Sequence, residues 1–87
     1  MTVDEQFTKA QNDVKTLPSR PPNDTLLELY ALYKQGTDGD ASGSRPGMFD
    51  MVGRAKFDAW AKKKGTAKDG AKTAYVALVA KLMQKKS

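Results

Sequence analysis

Apolar side chains recur at Val3, Phe7, Ala10, Val14 and Leu17, at steps of four, three, four and three. That spacing lays one narrow apolar stripe along an amphipathic helix, predicted from Val3 to about Lys15. Pro18, Pro21 and Pro22 stop it and force an extended connection. A second helix is predicted from Asn23 or Asp24, either of which can cap its first amides, to a stop near Gly36. Its run from Leu26 to Lys34 is apolar over most of its circumference. A helix in so short a chain has that character for one of two reasons: it sits centrally in the bundle, or part of its surface awaits a ligand.

The stretch from Thr37 to Gly47 is dense in turn formers and reads as a long loop. A third helix is predicted from about Asp50 to Lys63, with Val52, Ala55, Phe57, Trp60 and Ala61 as its apolar members and Gly65 as its stop. Thr66-Ala67-Lys68-Asp69 then has the spacing of a capping box, with Asp in place of the usual Glu. It opens a fourth helix that runs to about Gln84, with Ala71, Ala74, Tyr75, Leu78 and Leu82 as its core stripe. Lys68, Lys72, Lys81 and Lys85 fall largely on its other faces, and Gly70 is expected to weaken its first turn. No strand pattern competes and no repeat is visible. The fold class is all-α, four helices in one domain spanning residues 1–87, with one long connection between the second and third.

Composition narrows the function. With 87 residues there is room for one modest core, so a surface groove is expected rather than a deep enclosed site. The chain has no cysteine and no histidine, which removes disulfides, thiol nucleophiles, imidazole bases and the usual zinc ligands. An enzyme is therefore not expected, and no cofactor is called for. The N-terminal Met1-Thr2-Val3-Asp4-Glu5-Gln6 is acidic and does not read as a signal peptide. No apolar run approaches the roughly 20 residues of a membrane span. The expectation is a soluble, cytoplasmic, intracellular chain.

Charge is divided unevenly. Residues 1–53 carry five basic against eight acidic side chains, and residues 54–87 carry ten against two, within a net charge of +5. The basic half attracts an anion, or it is simply a solvated lysine face. The glycines of the loop do not form a phosphate-loop arrangement, which argues against nucleotide hydrolysis. Arg54 is the only arginine of the basic half and no helix-turn-helix or zinc-finger spacing appears, which argues against nucleic acid. A membrane-surface role for Lys81, Lys85 and Lys86 is disfavoured because the apolar stripe of the last helix is needed for the core.

Tyr30, Tyr33 and Lys34 share one helix face by their spacing of three and four. Tyrosine offers a flat surface to a purine and a hydroxyl to a phosphate, and lysine offers a point charge. The plainer reading is a pair of half-buried core tyrosines. Arg54 and Lys56 supply a second cationic site and Lys15 a third. If these converged, they would make a pocket for an aromatic, phosphorylated ligand.

The segments Leu29-Tyr30-Ala31-Leu32-Tyr33-Lys34-Gln35, Gly39-Asp40, Arg45-Pro46-Gly47-Met48, Ala55-Lys56-Phe57-Asp58-Ala59-Trp60, Lys64-Gly65-Thr66 and Ala74-Tyr75 occur in this order along almost the whole chain. In order and spacing the chain resembles the acyl-CoA-binding protein family. The resemblance implies an up-down-down-up four-helix bundle that binds long-chain acyl-CoA on its surface without turnover and delivers it to acyl-CoA-consuming enzymes. It implies that Tyr30, Lys34 and Lys56 hold the ribose 3′-phosphate and that Tyr33 packs against adenine. It also implies that Lys15 and Tyr75 close over the nucleotide, while Leu26, Leu27 and Ala55 line the acyl path. The expected partners are the acyl-CoA ligand and those enzymes, with no nucleic acid, at most transient membrane contact and a monomeric state. Phe57, Leu26, Gln11 and Gly70 depart from the residues common in the family, which bears on chain-length preference rather than on the phosphate contacts.

Overall fold

The computed structural model describes residues 1–84; Lys85 and Lys86, named above, lie outside the described residues. Four helices form: α1 (Val3–Val14), α2 (Asn23–Asp38), α3 (Met51–Ala61) and α4 (Lys68–Gln84), with no strand among the described residues. Helix α1 is opened by a capping box that the sequence reading did not use. The Glu5 amide donates to Thr2 Oγ1 at 3.1 Å, and the Thr2 amide donates to Glu5 Oε1 at 2.9 Å. Two orphan amides are satisfied at once, and Asp4 and Glu5 lie at the positive end of the helix dipole.

Helix α2 begins after Pro22, and no side chain bonds back across its N-cap. Asp24 instead accepts from the next amide, that of Thr25, at 2.9 Å. The expected stop at Gly36 does not occur. Gly36 is buried within the helix, where an added Cβ would stand 3.0 Å from Lys72 Cγ and 3.6 Å from Phe7 Cζ. Its missing side chain lets α2 approach α4 closely. The helix ends two residues later because Gly39 takes φ +83°, a conformation that few other residues adopt, and its amide donates to the Gln35 carbonyl at 3.1 Å.

Asp50 caps α3 by accepting from the Gly53 amide at 2.9 Å. The helix finishes at Ala61 and passes through a tight turn before Gly65, short of the expected Lys63. The predicted Thr66–Asp69 capping box does not form among the described residues. The Thr66 amide donates instead to the Lys63 carbonyl at 3.0 Å, and the Thr66 carbonyl accepts from Gln35 Nε2 at 2.8 Å. Gln35 is fully buried and donates also to Asp40 Oδ1 at 2.8 Å, so its amide ties the end of α2 to the connection before α4.

Contacts along the helices set their directions. Lys72 meets Asp4 at 2.6 Å and Tyr75 meets Phe7, so α1 and α4 run parallel. Lys72 also adjoins Gly36, whereas Leu78 shares a shallow pocket with Asp24, Thr25 and Glu28, so α2 runs against α4. Tyr30 meets Lys56 and Lys34 meets Trp60, so α3 runs with α2. The order is up-down-down-up, with α4 packed on α1 and α2, and α3 packed on α2. The core is built from Phe7, Ala10, Leu29, Leu32, Ala71, Tyr75 and Val79. Val79 replaces the expected Ala74, which is exposed. Helix α3 fully buries only Trp60; Val52 and Ala61, counted on its apolar face, are exposed. The shortest dimension is 15 Å, room for two helix layers about 8–10 Å apart, so any ligand of size must lie on the surface.

Candidate functional site

The loose packing of α3 on α2 leaves an open cavity of about 450 Å³ between them. Leu26, Leu27 and Tyr30 of α2 face Met51, Val52, Ala55 and Lys56 of α3 across it, and Arg20 and Asn23 close the end nearest the proline-rich connection. Five of the ten residues expected at a ligand site therefore meet here: Leu26, Leu27, Tyr30, Ala55 and Lys56. Leucine and alanine make an apolar floor. The Lys56 ammonium lies 5.3 Å from the centre of the Tyr30 ring, held by the ring's electron-rich face. Among the described residues neither Lys56 nor Arg20 has a carboxylate partner, although five other cations do. Two unneutralised cations thus border an apolar cleft.

Lys34 stands one turn further along α2, 4.9 Å from the Trp60 ring and ion-paired with Asp38. The hydrogen bond to Asp38 raises its pKa, so it remains charged at neutral pH. Trp60 is itself fixed by donating its indole N–H to the Gly39 carbonyl at 2.7 Å. The loop before α3 is pinned by Arg45, which meets both oxygens of Asp58 at 2.9 and 2.6 Å. These bonds hold the α3 side of the cleft in register with α2.

The remaining expected residues are placed differently. Tyr33 is partly exposed and stacks on Phe7, with ring centres 6.0 Å apart and planes 29° apart. Tyr75 is buried and meets the same Phe7 edge-on at 5.1 Å. Burial pushes the Tyr75 hydroxyl pKa up, with Tyr33 adding to the shift. Phe7 therefore links the two tyrosines, a role that helical periodicity cannot distinguish from ordinary core packing. Lys15 caps the exposed end of α1, and Arg54 is half-buried on α3 with its charge acting on Asp58. Neither lines the cleft. Gln11 folds back on its own helix, donating to the Phe7 carbonyl at 3.4 Å, and Phe57 packs edge-on to Trp60 at 6.2 Å. Arg20, Asn23, Met51 and Val52 line the cleft without having been singled out for it. Arg20 lies in the proline-rich connector, where periodicity carries no signal, and Val52 was assigned to the helix face as core.

The chain matches known proteins along most of its length. The family model described as acyl-CoA-binding protein matches residues 4–79. The chain belongs to the acyl-CoA-binding protein family. It is 58% identical over 79 residues to acyl-CoA-binding protein homolog 1 of Caenorhabditis elegans, covering 91% of this chain and 92% of that one. It is 45% identical over 85 residues to the acyl-CoA-binding protein of Saccharomyces cerevisiae, covering 98% of each. Among solved structures it is similar to acyl-CoA-binding protein 2 of Oryza sativa, with a TM-score of 0.92 and 37% identity over 97% of this chain and 93% of that one. The four-helix architecture is thus that of the acyl-CoA-binding family.

Proposed function

We propose that the chain is a non-catalytic carrier of medium- to long-chain acyl-CoA esters, working as one domain over residues 1–87. The observation that supports this most directly is the α2–α3 cleft, where an apolar floor of Leu26, Leu27 and Ala55 is bordered by Lys56 and Arg20, cations with no carboxylate partner among the described residues. An acyl-CoA is an amphiphile with several negative charges, an aromatic base and an alkyl tail, and each part has a counterpart. Tyr30, Lys34 and Lys56 hold the 3′-phosphate, with Lys34 exchanging Asp38 for the ligand. Tyr33 offers its exposed ring to adenine. Lys15 and Tyr75 contribute at the nucleotide end, and Arg54 adds positive potential along α3. Leu26, Leu27 and Ala55 carry the acyl chain.

The forces are adequate. Burying about ten methylenes contributes on the order of 8 kcal/mol at ~0.8 each, before ligand entropy is lost. Charge-assisted phosphate bonds add ~1.5–3 kcal/mol apiece, less where water screens them. Nanomolar affinity, about −12 kcal/mol, lies within reach. No histidine or cysteine is present to attack the thioester, so the role is to keep the ester dispersed, shielded and available to consuming enzymes. The carrier acts as a cytoplasmic monomer.

Isothermal titration with palmitoyl-CoA, with palmitate and coenzyme A as controls, tests the proposal. One-to-one binding at submicromolar Kd is expected, and much weaker binding of either control. Lys56→Ala should weaken binding about 10-fold or more, the loss of one charge-assisted bond. Tyr30→Phe should weaken it less. No heat at micromolar ligand would refute the carrier assignment.

A further inference from the structure

A cluster of large apolar side chains stands beside the cleft without belonging to it. The Asp50 amide donates to the Gly47 carbonyl at 3.0 Å, closing a turn whose two central residues are Met48 and Phe49. Phe49 is 99% exposed and Met48 70%. Met51 and Val52 follow, also exposed, and lead into the cleft that they line. This tip is not a frayed end. Arg45 pins the chain just before it to Asp58, and Asp50 pins the chain just after it by capping α3. The fold therefore fixes two large apolar groups in water at a corner, outside the core and outside the lining of the cleft.

We infer that the Met48–Phe49 turn is an interfacial anchor that docks the carrier, cleft mouth first, on an anionic lipid surface. The apolar tip is narrow, suited to insertion ~5–10 Å into a headgroup region rather than to the roughly 800 Å² per partner of a stable protein interface. Arg20 and Lys56, the cations of the adjoining cleft, have no carboxylate partner among the described residues and suit anionic headgroups. Asp50, the one acid of the stretch, is held in its capping bond. A second copy docked on this tip by a two-fold axis would set these cations against their own images. The weak apolar term and the weak electrostatic term together give reversible docking. Its purpose rests on the acyl-CoA reading: an acyl chain leaving the bilayer would pass from lipid over Met51 and Val52 to the cleft floor without crossing bulk water.

The test is co-sedimentation of the ligand-free protein with vesicles of phosphatidylcholine alone and with roughly 30% phosphatidylserine. Binding is expected only to the anionic vesicles, diminishing as salt is raised. The double substitution Met48→Ser/Phe49→Ser should lower partitioning about 10-fold, while Lys81→Glu on α4 should change it less than about 2-fold. Palmitoyl-CoA titrated in solution should bind the double variant within about 2-fold of wild type, and uptake of palmitoyl-CoA from vesicles should slow in proportion to lost partitioning. Wild-type protein left in the supernatant, equal partitioning of wild type and the double variant, a larger loss from Lys81→Glu, or a Phe49-dependent dimer in sedimentation equilibrium would each overturn the inference. Because the vesicle arm contains no acyl-CoA, failure of the carrier reading appears only in the titration.

Discussion

Replacing Asp38 with Asn should tighten acyl-CoA binding. In the proposed binding mode Lys34 is a phosphate ligand already engaged by the protein itself, since its ammonium pairs with Asp38 one turn along α2. Binding a phosphate through Lys34 then requires that the pair be given up. An exposed i,i+4 pair contributes about 0.3–0.5 kcal/mol, and the partial cover of Lys34 at 25% exposure sets an upper bound of about 1 kcal/mol. Releasing it corresponds to a roughly 2- to 5-fold lower Kd. Removal of a negative charge near a polyanion acts in the same direction. Stability should change little, because the lost pair is offset by relief of a carboxylate at the negative end of the α2 dipole. Titration of palmitoyl-CoA at low and high salt measures the effect, which should shrink as salt screens the pair. If Asp38→Asn left Kd unchanged while Lys34→Ala weakened binding, the competition would not exist. If Asp38→Asn weakened binding, Asp38 would be orienting Lys34 rather than withholding it.

Three further expectations concern the scaffold. Gln35→Ala removes two partly buried hydrogen bonds, to Asp40 and the Thr66 carbonyl, and should destabilise by ~2 kcal/mol, lowering Tm by roughly 8–16 °C in a thermal melt. Gly36→Ala should be nearly neutral, as helix propensity offsets a small shift of Lys72, whereas Gly36→Leu should force α2 from α4 and lose about 1–3 kcal/mol in urea unfolding. Acid should weaken the fold through Asp40, Asp58 and Glu5, whose pKa values are lowered chiefly by the Gly65 amide, Arg45 and the Thr2 amide respectively. Folded values below unfolded ones mean that this stability is complete above about pH 4–5 and lost as pH falls through the lowered values. The urea midpoint should therefore stay level from neutrality to about pH 5 and fall below it, less steeply in Asp58→Asn.

Helical period carried most of the fold because each helix buries a stripe, and stripes are local in sequence. What it missed depends on neighbours distant in sequence. Gly36 reads as a stop until Lys72 and Phe7 are seen against it. Val79, one step of four beyond Ala71 and Tyr75, lies on the side of α4 that packs against α1 and α2, and Ala74 falls off that side. The Thr66 carbonyl accepts from Gln35, 31 residues away, a tie that no local pattern shows. The Thr2–Glu5 box, by contrast, was readable, being wholly local. At the site, the Tyr30–Lys34 face was legible from spacing, whereas its meeting with Lys56 is a cross-helix event that residue patterns alone left open.

The apolar circumference of α2 admitted two explanations, and the structure uses both on opposite sides of the same helix. Toward α1 and α4, Leu29 and Leu32 enter the core, and Gly36 allows the close approach that completes it. Toward α3, Leu26, Leu27 and Tyr30 meet a helix that buries only Trp60. The first side is dry because a small residue sits at the crossing. The second stays open because α3 presents Ala55 and the aliphatic stem of Lys56 where a larger side chain would fill the gap. Ala55→Leu should therefore close the cleft from within, gaining core contacts while excluding the acyl chain. A more stable protein that has lost affinity for palmitoyl-CoA but not for coenzyme A would place the alkyl tail on that floor; unchanged palmitoyl-CoA affinity would remove it from there.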